Sequence, residues 1–316
     1  MFMYTLFAIL LSCSSSKNLD TAISEITPPF EIESPKELVL IPERPQDMSI
    51  SKDGAFFISS QTGDYLYRLQ KTINEIEVLY DQNTIDPQDI REEQTGDFRN
   101  ILALEHIEND LFFTTTDFGV EGTLSWVESY NGISYQTQPL HSASVEGTLI
   151  RNPIDLQRPL EDMTLFSQQL WIADNEARAL FSYEDNQLTV HSAGQERPET
   201  ICFGSVNNKE VLFIGGEEGI WYKEGTDGLP IQISNIPALS LTYLPEHMEL
   251  WIGNSTGILV LDVSKELSLF QIEDAYQLSS INSRVSRLIH RNNFIFFTDG
   301  IGEYVFVAKI IRNDIN

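Results

Sequence analysis

The chain has 316 residues, 41% of them hydrophobic, with 18 Phe, 11 Tyr and 4 Trp; this apolar and aromatic content excludes disorder and favours strands, whose pleated faces suit such side chains. Acidic residues outnumber basic ones 47 to 20, a net charge of −27, and that field repels a phosphate backbone and excludes nucleic acid as a partner. The length fits either two ordinary domains or one large all-β domain.

The opening MFMYTLFAILLSC is apolar from Met1 to Leu11, too short to span a bilayer as a helix, and turns abruptly to Ser, the profile of a signal segment over 1–12. LLSC at 10–13 resembles the bacterial lipoprotein lipobox. That resemblance implies that Cys13 is lipidated and becomes the mature N-terminus, and Ser14 after it implies sorting to the outer membrane of the envelope. The alternative is an ordinary cleaved secretory signal. Only Cys202 would then remain for the folded body, so no disulfide forms within it; in the apolar run TICFG it reads as a small buried thiol. Residues 13–36 mix Ser, acids and prolines without periodicity and read as a tether. ELVLI at 37–41 reads as the first strand of a folded domain over 37–316.

Six copies of one pattern follow, each an apolar strand, a turn, a second strand with an aromatic, a Gly/Asp/Asn-rich turn and a third strand. The aromatic falls at Phe57, Phe113, Trp171, Phe213, Trp251 and Phe297, 38 to 58 residues apart, bracketing the ~40–50 residues of a propeller blade. The turns SKDG, EHIEND, FSQQ, VNNK, LPEH and HRNN supply the residues that hairpins need. We therefore expect an all-β, six-bladed β-propeller with four antiparallel strands per blade, almost no helix, and a ring closed when ELVLI pairs with the last blade. A monomer is expected. The acidic stretch 81–97 opens like a calcium loop but has Ile85 and Asp86 where an EF-hand needs an oxygen and a glycine, and reads as an insertion at the first blade junction.

LFIGGEEGIWY and LWIGNSTGILVLD resemble the two-component-regulator propeller repeat, and the wider pattern, including LWIADNEARALFSYE, resembles the gluconolactonase/regucalcin superfamily and NHL propellers. The gluconolactonase resemblance implies a divalent cation such as Ca²⁺ on the axis, held by oxygens at the starts of inner strands. The corresponding positions are Gln46, Asn100, Asp162 and Glu199, all oxygen donors, with Asp47 and Glu161 beside them. A cation there would polarise a lactone carbonyl. The main expectation is a membrane-anchored module that binds a protein or small-molecule ligand on its propeller face, with a metal-dependent lactonase-like hydrolase and a periplasmic sensor component as alternatives. The five histidines form no HExxH pair, and His106, His247 and His290 read as exposed turn residues. No GxSxG elbow or phosphate loop occurs.

Overall fold

The computed structural model describes residues 30–312 apart from segments at 43, 61–64, 88–89, 91, 98–100, 108–109, 120–121, 131–134, 140–141, 146–147, 152–160, 176–177, 185–186, 195–196, 207, 265–274, 279–280 and 282; along 92–97 and 115–151 it describes the backbone alone. Cys13, the signal segment and Asn100 lie outside the described residues.

Among the described residues the strands form six sheets. Sheet I runs outward from Pro45–Ile50 through Phe56–Ser60 and Tyr65–Leu69 to Glu92–Asp97, and sheet II from Ile101–Ile107 through Asp110–Gly119 and Gly122–Tyr130 to Tyr135–Pro139. Sheet III runs from Asp162–Phe166 through Gln169–Asp174 and Ala179–Glu184 to Gln187–Ser192, whose outer edge takes Ser142–Val145 in parallel and then Thr148–Arg151. Sheets IV and V start from Pro198–Val206 and Ser240–Leu244 and have four strands each. Sheet VI carries Arg287–Arg291, Phe294–Thr298 and Tyr304–Arg312, and on its outer edge Phe30–Ile32 and Lys36–Leu40. Each first strand packs beside the first strand of the next sheet, and that of sheet VI beside that of sheet I. A ring of sheets stacked face to face is a β-propeller.

The uniform plan of four antiparallel strands does not hold. Sheet III has six strands with one parallel pairing, and sheet VI has five. The sheets also begin earlier than the tether boundary at 36: Phe30 pairs with Arg312 and Ile32 with Ile310, and farther along the same edge Lys36 pairs with Val307 and Leu40 with Tyr304. Two segments of the N-terminal chain thus lie end to end along the last strand. Phe30 is buried and stacks on Trp251 with centroids 5.3 Å apart.

Local chemistry explains the hairpins. Ser167 and Gln168 in FSQQ, Asn208 in VNNK, Met248 after LPEH and Asn292 in HRNN all have positive φ, as tight hairpin turns require. One nine-residue helix, Ile73–Asp81, is found among the described residues, in keeping with the expectation of almost none. Its signals were local: the Thr72 backbone N–H donates to Glu75 Oε2 at 2.8 Å, a capping-box contact, and Ile73, Ile76 and Tyr80 recur at helical spacing and are buried against the seam between sheets VI and I. The acidic stretch 81–97 is partly structure, since 92–97 forms the outer strand of sheet I.

All six aligned aromatics are buried, but they do not all face the same way. Phe57, Trp171, Phe213 and Trp251 pack toward the following sheet, whereas Phe113 joins the cluster shared with sheet I and Phe297 the one shared with sheet V. The side chains facing forward from sheets II and VI are Phe112 and Phe296. A slip of one residue along a strand exchanges its faces, and the Phe-Phe doublets hid it.

Candidate functional site at the propeller axis

Six positions, one per inner strand, set the axial geometry: Asp47, Ala103, Asp162, Thr200, Ser240 and Arg287. The residue after each has a backbone N–H that needs an acceptor, and the preceding sheet usually supplies it. Leu104 N–H donates to Asp47 Oδ2 at 2.7 Å, Ile201 N–H to Asp162 Oδ2 at 2.9 Å, Leu241 N–H to Thr200 Oγ1 at 3.0 Å and Leu288 N–H to Ser240 Oγ at 2.9 Å. Two links of this belt have no such donor-to-acceptor match, because Arg287 only donates and Ala103 has no polar atom. There the sequence places aspartate next, and each aspartate accepts its own neighbour: Met48 N–H to Asp47 Oδ1 and Met163 N–H to Asp162 Oδ1, both at 2.8 Å. Asp162 Oδ2 also accepts the Thr200 hydroxyl at 2.7 Å.

Residues one step before the belt open upward. Gln46, Glu161, Glu199, Leu239 and Ser286 line a mouth cavity of about 250 Å³, joined by Asn175, Arg284 and Gly300 from connections. Residues one step after it, Met48, Leu104, Met163, Ile201, Leu241 and Leu288, form a buried apolar collar around a second cavity of about 270 Å³. Arg287 borders both cavities and is only 9% exposed. Its Nη1 donates to Leu239 O at 3.2 Å and Ser286 O at 3.0 Å, its Nη2 to Glu161 O at 2.9 Å, and its Nε lies 3.5 Å from Asp47 Oδ1.

Electrostatics follow from burying many acids around one base. Burial opposes the charge on Arg287, but Asp47, Asp162, Glu161 and Glu199 outweigh it and raise its pKa. Burial lifts Asp47 and Asp162 against the pull of Arg287. Glu161 is pushed up to about 7, by burial first and by Glu199 among its neighbours, with Arg287 opposing. Glu105, below the collar, is pushed up to about 8 by burial and by Asp162 and Asp47.

The predicted ligand set is divided. Gln46 and Glu199 meet in the mouth, while Asp162 is held in the belt by Thr200, Ile201 and Met163 and borders the lower cavity. Among the described residues no group of three or more His, Cys, Asp or Glu is arranged to hold a metal ion. Cys202 is buried, as expected, and burial holds its thiol well above the ordinary range. His247 is an exposed turn residue, but His106 and His290 are not: they lie in inner strands and border a cavity at the lower end of the axis. Their Nδ1 atoms meet Ser49 Oγ at 2.8 Å and Thr242 Oγ1 at 3.3 Å, and burial lowers both to about 4. Sequence reasoning missed Arg287; its signal was a lone arginine in VSRLIH where other copies place Asp, Ala, Thr or Ser.

No family model matches the chain, and no curated protein matches it in sequence. Solved structures do match in shape. The PQQ-bound aldose sugar dehydrogenase of Streptomyces coelicolor superposes with a TM-score of 0.58 at 9% identity, over 89% of this chain and 98% of that one. The chain is a β-propeller. A streptogramin B lyase gives 0.54 at 14% over 89% and 98%, and a catalytically inactive virginiamycin B lyase from Staphylococcus aureus, solved with quinupristin, gives 0.52 at 14% over 88% and 99%. At such identities the likeness is one of fold alone.

Proposed function

We propose that this protein is a lipid-anchored binding module of the bacterial envelope, held to the outer membrane through Cys13. Its six sheets act as six blades closed into a ring by the pairing of the chain ends, and it takes a small polar molecule in the mouth above Arg287. The observation that carries the reading is the convergence of Glu161, Glu199, Arg284, Arg287, Gln46 and Asn175 on one cavity of about 250 Å³, over an axis blocked by a buried arginine and an apolar collar. Concave sites with a few convergent polar groups are where small ligands bind. Two of the similarly folded proteins were solved holding a small molecule, which supports the use of such a fold for this purpose.

The donor set does not suit a buried divalent cation at the axis. Asp162 spends its oxygens on two backbone N–H groups and a hydroxyl, and a guanidinium already stands among the carboxylates. Arg287 supplies the positive charge that a metal would bring, so no lactonase step is routed through this site.

The test is a melting-temperature survey of wild type and Gln46→Trp, which fills the mouth without changing its charge, using glucose, gluconate, the free L-α-amino acids and CaCl₂. At least one organic probe should raise the melting temperature of wild type and not of the variant, as binding to the folded state alone requires. Calcium should act equally on both, as a salt. A calcium shift lost in Glu199→Gln would restore the metal reading, and identical responses of wild type and Gln46→Trp to every organic probe would end the mouth reading.

A further inference from the structure

We infer that the lower half of the axis holds a second binding site, for a small primary amine with an apolar body. It does not depend on the mouth, because Arg287 and the rest of the belt lie between the two.

Two chambers meet below the belt. The cavity of about 270 Å³ inside the collar and the one of about 190 Å³ beneath it share Met48, Glu105, Thr242 and Ile289, so Glu105 stands at their junction. The upper chamber is walled by the apolar collar, with Ile289 and Phe203 further along their strands. Phe203 is 39% exposed, so the chamber meets solvent along its ring, which packs on Phe166 with centroids 6.2 Å apart. An apolar cavity of roughly 150 Å³ holds a molecule the size of benzene. The upper chamber therefore has room for a chain of about five carbons with its head group.

Glu105 is the acid that faces both chambers. Among the described residues it accepts one hydrogen bond, from the Leu165 backbone N–H, whereas a carboxylate has about four acceptor positions. Asp47 and Asp162, the other acids of the upper chamber, are committed to backbone N–H groups and, for Asp162, to the Thr200 hydroxyl. An ammonium beside Glu105 finds open acceptors, with the hydroxyls of Thr164 and Thr242 lining the same chamber, while its alkyl body buries apolar surface against the collar. Three acids face the single guanidinium of Arg287 there, which favours a cation over an anion. Arg291, in the lower chamber, is turned to Lys52 O at 3.0 Å.

Glu105 is pushed up to about 8 by burial and then by Asp162 and Asp47, so near neutrality it gives up a proton as the ammonium arrives. Burial lifts Asp47 and Asp162 as well, and their ionisation acts in the same direction. His106 and His290, lowered to about 4, stay neutral over this range, burial keeps the Cys202 thiol protonated, and the arginines stay charged. Affinity for an amine should therefore rise from about pH 6 to about pH 8.

The experiment is calorimetric titration of the full chain with n-pentylamine and its neutral counterpart n-pentanol, in wild type, Glu105→Gln and Gln46→Trp. Wild type should bind the amine with release of a proton near neutral pH, and the alcohol at least roughly 10-fold more weakly, the loss of one charge-assisted hydrogen bond. Glu105→Gln, close in shape to the protonated acid, should weaken the amine by roughly 10- to 100-fold and shrink its pH dependence. Gln46→Trp, in the mouth, should leave amine binding as it is. Equal binding of amine and alcohol to wild type, a comparison that needs no variant, overturns the assignment to a cation. Amine binding that persists undiminished in Glu105→Gln, or that is lost in Gln46→Trp, overturns the lower site. Binding of neither probe overturns it too, and the mouth reading is then decided separately by its own probes.

Discussion

At the scale of single residues, the axis is governed by a rule about acceptors: each inner strand needs one for a backbone N–H, and aspartate stands wherever the preceding sheet offers none. Asp162→Ala strands two N–H groups and a hydroxyl, and should cost about 3 kcal/mol in chemical denaturation, against about 1–2 kcal/mol for Ser240→Ala, which strands one. Equal losses would show that the belt is not accounted for this way. Arg287→Met leaves buried carboxylates without their cation, a change of about 3–5 kcal/mol at neutral pH, and the loss should shrink as the pH is lowered and those carboxylates take up protons. The chemistry was partly legible. Oxygen donors at inner-strand starts were visible, and Gln46 and Glu199 do share a cavity. Asp162 was grouped with them by counting from strand ends, whereas hydrogen-bond register puts it one step further along, and on a strand one step is the other face.

At the scale of elements, six strand–turn–strand units were readable because turn residues and apolar runs are local signals. Facing direction was not, since Phe112-Phe113 and Phe296-Phe297 satisfy either register until the neighbouring sheet chooses. The helix Ile73–Asp81 carried its own cap and stripe and was overlooked because strand patterns surround it. The edge made by Phe30–Ile32 was hidden for a different reason: its partner lies 282 residues away, Phe30 against Arg312. Phe30 fills a buried site against Trp251, and Arg312 lies over its ring while binding Glu249 at 2.8 and 2.9 Å. Phe30→Ala should therefore cost about 3–5 kcal/mol, with the edge segment 30–40 becoming sensitive to protease; a loss under about 1 kcal/mol would mean that this edge adds little.

At the scale of the whole molecule, stability against pH is set by two opposed groups. His106, His191 and His290 are lowered to about 4 by burial, so the unfolded chain takes up their protons first and stability is lost as pH falls from about 6.5 toward 4. Glu105 and Glu161 are raised to about 8 and 7; their contribution is complete below the ordinary glutamate range and is lost as pH rises through 7 and 8. The melting temperature should peak near pH 6 and decline toward pH 8, and Glu105→Gln should flatten the alkaline decline. A melting temperature that climbs steadily to pH 8 would contradict the upward push on Glu105. A net charge of −27 adds self-repulsion, so moderate NaCl should raise the whole curve.

The pairing of Phe30–Ile32 and Lys36–Leu40 with Tyr304–Arg312 also places the molecule in time. A ribosome delivers the chain from its N-terminus, so Phe30–Ile32 waits for Tyr304–Arg312, with the whole intervening sequence between them. Until residue 312 has emerged, the outer edge of sheet VI does not exist and Phe30 has no complete pocket. A chain built this way postpones its final folding step until its synthesis is finished.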